Sequence, residues 1–124
     1  MKLNLKLFTK ILNKAWSKET SYWPEKWNPK KPSIGQCAVT ALLLQNYAGG
    51  KILQTKIPNY GTHLWNKLPN GKEIDLTRNQ FPKRIKIPKG KVISRSTLLK
   101  VKSLRKRYNI LIKNFEKELA KIKS

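Results

Sequence analysis

Apolar residues recur at three- and four-residue steps at the start of the chain. Leu5, Phe8, Leu12, Ala15 and Trp16 fall on one stripe, with lysines opposite. That spacing predicts an amphipathic helix over Lys2 to Lys18, packed against the body of a domain. The period is lost from Thr20 to Ser33, where Pro24, Pro29 and Pro32 exclude regular structure, so an irregular extended segment pinned by Trp23 and Trp27 is expected. From Ala38 to Leu44 the chain is apolar nearly all round, apart from Thr40. This predicts a buried central helix with Cys37 in its first turn, begun by Ser33 or Gly35 and stopped by Gly49-Gly50.

Three segments then read as strands: Lys51 to Ile57, Thr62 to Leu68 and Lys72 to Thr77. The last two are joined by Pro69-Asn70-Gly71, whose residue types match a type I turn closed by a left-handed glycine, a three-residue hairpin loop. Leu68 then opposes Lys72, and counting outward sets Trp65 opposite Asp75. His63 and Asp75 become diagonal neighbours on one face, with Leu64, Leu68, Ile74 and Leu76 on the other. A two-residue Asn-Gly loop would reverse this assignment, because a slip of one residue inverts every side chain. A further short strand is expected at Arg84 to Ile87, within the basic, proline-punctuated stretch Pro82 to Lys91. Thr97 to Lys123 predicts a long amphipathic helix with one bend or break. Its stripe is Leu104, Tyr108, Leu111, Ile112, Phe115, Leu119 and Ile122, too few heptads for a coiled coil. There is no internal repeat and no long linker. The expected architecture is one α+β domain over residues 1–124, a Cys-bearing central helix on a small antiparallel sheet between terminal amphipathic helices.

Length agrees with a single domain, since 124 residues bury roughly two-thirds of their unfolded surface. Cys37 is the only cysteine, so no disulfide can form within the chain and a reducing cytoplasm is the expected location. Met1 to Leu12 lacks the apolar core and cleavage site of a signal peptide, and no apolar run approaches the ~20 residues of a membrane span. The net charge of +22 would draw the chain toward nucleic acid or another polyanion. The excess comes mainly from lysines spread from Lys2 to Lys123, with only five arginines. A dispersed, lysine-heavy charge reads first as solvated surface, and a functional anionic partner is the competing reading.

Candidate chemistry rests on single residues. The chain has one Cys, one His and one Asp, in the order Cys37, His63, Asp75. A cysteine in the first turn of a helix is favourably placed to ionise, because unpaired N–H groups and the helix dipole stabilise thiolate. The competing reading is a small core residue heading an apolar helix. His63 and Asp75, in the three-residue register, can share a hydrogen bond, either in a site or as a structural pair. Together the three residues fit a Cys-His-Asp nucleophile, base and orienter. The Cys37 N–H and the Gln36 amide would be the oxyanion donors, and Trp65 would shield the His–Asp bond or simply pack. No metal or cofactor is expected, since zinc would require more Cys or His than one of each. Glu73 and Asp75 share a strand face without a second carboxylate pair for glycoside chemistry. The glycines lack the spacing of a phosphate loop.

Several stretches of the chain resemble the YunG-like family. They are Ala15-Trp16-Ser17, Trp27-Asn28-Pro29 with Pro32-Ser33, Gly35 to Leu42, Gly49-Gly50 with Ile52-Leu53, His63 with Trp65 to Pro69, Asp75 to Arg78 with Gln80-Phe81, and, in the last helix, Leu98-Leu99 and Arg107-Tyr108. The resemblance implies an α+β domain similar to papain-like cysteine hydrolases and transglutaminase-like proteins. Arg78 and Gln80 match the family's last motif, where they would line the site or anchor the chain leaving the strand. The lysine content departs from the family pattern. Two functions follow as expectations. One is a thiol hydrolase or acyltransferase acting on an acyl substrate through an amide, thioester or isopeptide-type bond. The other is a non-catalytic binding or scaffold protein whose basic surface holds an anionic partner such as nucleic acid.

Overall fold

The computed structural model of the chain describes residues 4–123. The part of the first predicted helix at Lys2 and Leu3 lies outside the described residues. In chain order the elements are α1 (Leu5–Ala15), α2 (Cys37–Ala48), β1 (Lys51–Ile57), β2 (Gly61–Lys67), β3 (Glu73–Ile74), β4 (Lys91–Ile93), α3 (Arg95–Leu99) and α4 (Lys102–Lys123). Short 3-10 turns occupy Lys18–Thr20 and Arg78–Gln80. The described residues thus form a mixed α+β fold of four α-helices and one antiparallel sheet, in the order β3-β2-β1-β4. No helix among them is long and apolar enough to cross a membrane.

The core forms around α2, where every residue from Val39 to Leu44 is buried. Phe8, Ile11, Leu12, Ala15 and Trp16 pack on it from one side, and Leu104, Tyr108, Leu111 and Phe115 from another. Ile52 and Leu64 close the core from the sheet. Burying a large apolar side chain this fully contributes about 1.5–3 kcal/mol, so these contacts, rather than helix propensity, hold α2 in place. Thr40 is the exception inside the apolar helix because its hydroxyl accepts a hydrogen bond from the buried Trp16 indole, 2.9 Å away. Asn66, also buried, donates to the Ala41 carbonyl at 2.9 Å and so ties β2 directly to α2.

The boundaries correct several expectations. The first helix stops at Ala15, three residues early: Trp16 turns extended (ψ 136°) as its indole is buried against Thr40. Leu5 is exposed and Ile11 takes its place in the stripe. The central helix is begun by neither Ser33 nor Gly35. Gln36 precedes Cys37 at the helix start, and its N–H donates to the Ser33 carbonyl in a preceding turn. Gly35 stands at φ +74°, with the Tyr22 N–H bonded to its carbonyl. A Cβ on Gly35 would come within 2.8 Å of the Tyr22 nitrogen and 2.9 Å of the Trp23 nitrogen, so only glycine fits here.

No strand forms at Arg84 to Ile87. The free edge of β1 is taken instead by β4, with Ile52 opposite Ile93. The carbonyls of Phe81, Pro82, Lys83 and Ile85 turn toward the Arg78 guanidinium, the shortest bond being 2.6 Å to Ile85. The third strand is only Glu73–Ile74, because Asp75 turns its side chain onto the Thr77 N–H instead of continuing the ladder. The long last helix is broken once, at Lys100 and Val101, between α3 and α4.

The predicted hairpin register is observed. Asn66 pairs with Ile74 and Lys67 with Glu73, and the Leu68 N–H donates to the Lys72 carbonyl at 2.8 Å. Gly71 adopts φ +88° and donates to the Leu68 carbonyl, as the three-residue loop requires. Leu64, Ile74 and Leu76 accordingly face the core.

Candidate functional site

His63, on β2, is wholly buried. The Trp65 ring stacks alongside it at 5.5 Å, and the Phe81 ring meets it edge-on at 4.8 Å. Trp65 is itself held by an indole bond to Glu73, 2.8 Å, and by Gly90. A Cβ at Gly90 would lie 2.6 Å from the indole ring, so the backbone there lies flat against it. The Trp65 ring is thus packed against the imidazole.

The His63 Nε2 stands 2.6 Å from Asp75 Oδ2. The other carboxylate oxygen accepts from the Thr77 N–H (3.2 Å) and hydroxyl (3.3 Å). A carboxylate held at both oxygens fixes the orientation of the imidazole it binds. Nδ1 is left buried with no hydrogen-bond partner. Cys37, the first residue of α2, is the remaining group that acts on this histidine. Burial works against charging the imidazole, but the Asp75 hydrogen bond and then the Cys37 sulfur outweigh it, raising its pKa from 6.5 to about 9. The raised pKa favours the charged imidazole at neutral pH, with the Asp75 carboxylate on its Nε2.

Cys37 is half-buried and opens onto a cavity of about 520 Å³. Its walls include Tyr22, Trp23, Leu64, Phe81, Leu98 and Leu104, with Gln80 and Arg107 among them. Trp23 thus borders the cavity, whereas Trp27 fastens its loop to itself through an indole bond to the Pro32 carbonyl. A wider groove of about 570 Å³ runs between Ile57–Tyr60 and Arg84–Lys86, but it holds no thiol, imidazole or carboxylate.

The supporting residues divide. The Gln36 amide is not an oxyanion donor: it is fully buried, donating to the Ser17 carbonyl (3.0 Å) and accepting from the Thr20 hydroxyl (2.9 Å). It clamps the helix start to the segment after α1. Gln80 borders the cavity but serves as a brace, accepting from the Gly35 N–H and donating to Thr77. Arg78 edges a shallow groove beside Asp75, and its guanidinium is committed to four backbone carbonyls. Anchoring, of the two roles foreseen for the Arg78–Gln80 motif, is the one these bonds describe.

Sequence reasoning gave Arg107 no role in chemistry. It faces the cavity from α4, its guanidinium carbon 5.5 Å from the Tyr22 ring centre. Burial lowers its pKa from the ordinary value, while Cys37 and Tyr22 act in the opposite direction. The signal was present in the helical stripe: Arg107 falls three residues after Leu104 and four before Leu111, a charge on a face otherwise apolar.

A family model described as "YunG protein" matches residues 4–120. The chain is 41% identical over 71 residues to a protein of Bacillus subtilis (strain 168) described as "Uncharacterized protein YunG", an alignment covering 57% of each of the two chains. No solved structure matches.

Proposed function

We propose that this chain, which belongs to the YunG family, is a thiol-dependent hydrolase or acyltransferase in which Cys37 is the nucleophile, His63 its acid–base partner and Asp75 the orienter. One observation carries the reading. The imidazole is bonded to Asp75 through Nε2, while Nδ1 is buried and unpartnered and Cys37, at the head of α2, is among the groups that raise the imidazole pKa. A cysteine on a central helix, with histidine on the neighbouring sheet and a carboxylate behind it, parallels the papain-like plan, and on that ground the core is read as papain-like.

The chemistry follows from these positions. The Cys37 thiolate attacks an acyl carbon, forming a C–S bond and a tetrahedral oxyanion. The Cys37 N–H, in the helix first turn where no intrahelical carbonyl can receive it, donates to that oxygen. As the C–N or C–S bond of the substrate breaks, the Nδ1 proton of His63 passes to the leaving group. Water or an acceptor amine then attacks the thioester, giving its proton to His63, and the thiolate departs. Asp75 holds Nε2–H throughout. A nucleophile that must remain a free thiol suits a reducing setting such as the cytoplasm.

The test is alkylation of the folded chain with iodoacetamide at pH 6. The expected result is rapid modification of Cys37 and slow modification in His63→Ala, followed by labelling with acyl electrophiles of differing leaving groups. A thiol that reacts only after unfolding would defeat the proposal. Electrophoretic shift with DNA across a salt series would then test the basic surface as a binding site.

A further inference from the structure

The stripe that α4 turns inward is Leu104, Tyr108, Leu111 and Phe115, and Arg107, half-buried, lies beside it. A guanidinium on the packed side of an amphipathic helix is destabilising unless an anion or several acceptors meet it. Arg95, nearby, shows the satisfied case. Its two terminal nitrogens bond the Leu42 carbonyl, the Gln45 amide oxygen and the Tyr108 hydroxyl. Arg107 has no such set. Its Nη1 is buried without a hydrogen-bond partner, and among the described residues no acidic side chain pairs with it. The six acidic residues of the chain include Asp75, committed to His63, Glu73, committed to Trp65, and Glu118, paired with Lys121. Tyr22 covers one face of the guanidinium, so a further partner would have to meet it along the edge of its planar fork.

Among the described residues, Arg107 is also the one charged side chain in the wall of the Cys37 cavity. The rest of that wall is chiefly aromatic and aliphatic, and about 520 Å³ is the size of a small-molecule site. A single arginine fork in apolar surroundings complements one planar monoanion, which it grips with two parallel bonds; a phosphate dianion would call for further cations. We propose that Arg107 determines specificity in this cavity, and that the acyl substrate bears a carboxylate a short chain away from the carbonyl Cys37 attacks. The inference rests on the acyl-transfer reading above and names its substrate class. A carboxylate that reached Nη1 would give this buried nitrogen the partner it lacks, which an uncharged analogue does less well, so discrimination comes from the charge-assisted bond.

Two alkylating reagents that differ only in charge test this, iodoacetate and iodoacetamide, at one pH and ionic strength. The rate ratio of iodoacetate to iodoacetamide should fall roughly tenfold in Arg107→Gln, the size of one lost charge-assisted contact. It should hold in Lys106→Gln, which removes the same charge from an exposed neighbour on α4. Arg107→Lys guards against loss of the fold and should lie between them. A ratio unchanged in Arg107→Gln, or both rates falling together, would mean that Arg107 acts on the thiol alone and overturns the proposal. A second arm needs no thiol: succinate titrated into Cys37→Ala, followed by tryptophan fluorescence, since Trp23 borders the cavity. Saturable binding of succinate, absent with succinamide and absent in Arg107→Gln, supports the anion site even if Cys37 proves inert. Its absence ends the substrate assignment even if Cys37 is reactive.

Discussion

His63 and Asp75 are joined at 2.6 Å across a hairpin, and the three residues of its loop decide whether they meet at all. Gly71 closes that loop at φ +88°, with open space where a Cβ would go. Gly71→Val should therefore cost about 1–2 kcal/mol of stability from backbone strain alone. Deleting Pro69, which favours a two-residue Asn-Gly turn, should do more. It inverts the side chains of the second strand and removes the His63–Asp75 bond. Urea denaturation measures the first effect, and the Cys37 alkylation rate at pH 6 the second.

The raised His63 pKa makes stability depend on pH in a defined window. A group protonated more readily in the folded chain (about 9 against 6.5) contributes its full stabilisation below pH 6.5 and loses it as pH rises through 9. The expected loss is about 3 kcal/mol, read as a falling urea midpoint between pH 6 and pH 9.5. His63→Gln should flatten that slope. Cys37→Ala should narrow the window, because the sulfur is one of the groups that raise the imidazole.

Asp75→Asn keeps the shape of the orienter and removes its charge. The imidazolium then loses its strongest support, and the Cys37 alkylation rate at pH 6 should drop about ten- to a hundredfold, the range for a hydrogen bond to a charged group. Unfolding midpoints measured alongside would separate this from a general loosening. If the rate held while His63→Ala still slowed the reaction, Asp75 would be only a structural partner.

The clamp formed by Gln36 predicts a different pattern. Gln36→Ala removes its bonds to the Ser17 carbonyl and the Thr20 hydroxyl and opens a void in a fully buried position, at a cost of about 3 kcal/mol. Because the amide does not serve the oxyanion, the folded fraction should still alkylate at close to the parent rate. A rate loss of a hundredfold in fully folded Gln36→Ala would return the oxyanion role to this side chain.

Much of the site was legible because it lies where local rules are strong. Lys51–Ile57 could be read to the residue, and the loop chemistry of Pro69-Asn70-Gly71 set the register that brings His63 to Asp75. What could not be read depended on partners distant in the chain. The end of α1 is set by Trp16 reaching Thr40, and the helix start by Gln36 reaching Ser17 and Thr20. Arg84 to Ile87 has a strand-like composition, yet its neighbourhood offers Arg78 instead of a strand to pair with. The edge position that it might have filled went to Lys91–Ile93, a segment too short to announce itself.

That single guanidinium has a wider consequence. Residues 81, 82, 83 and 85 hang from Arg78 by their carbonyls, and Phe81 among them caps the buried imidazole. A covering fastened at one point detaches without melting what it covers. In Arg78→Ala, amide exchange should quicken from Phe81 to Gly90 while α2 keeps its protection. His63 would then meet water in a chain that is otherwise intact, so Arg78 governs the hydration of the imidazole without touching it.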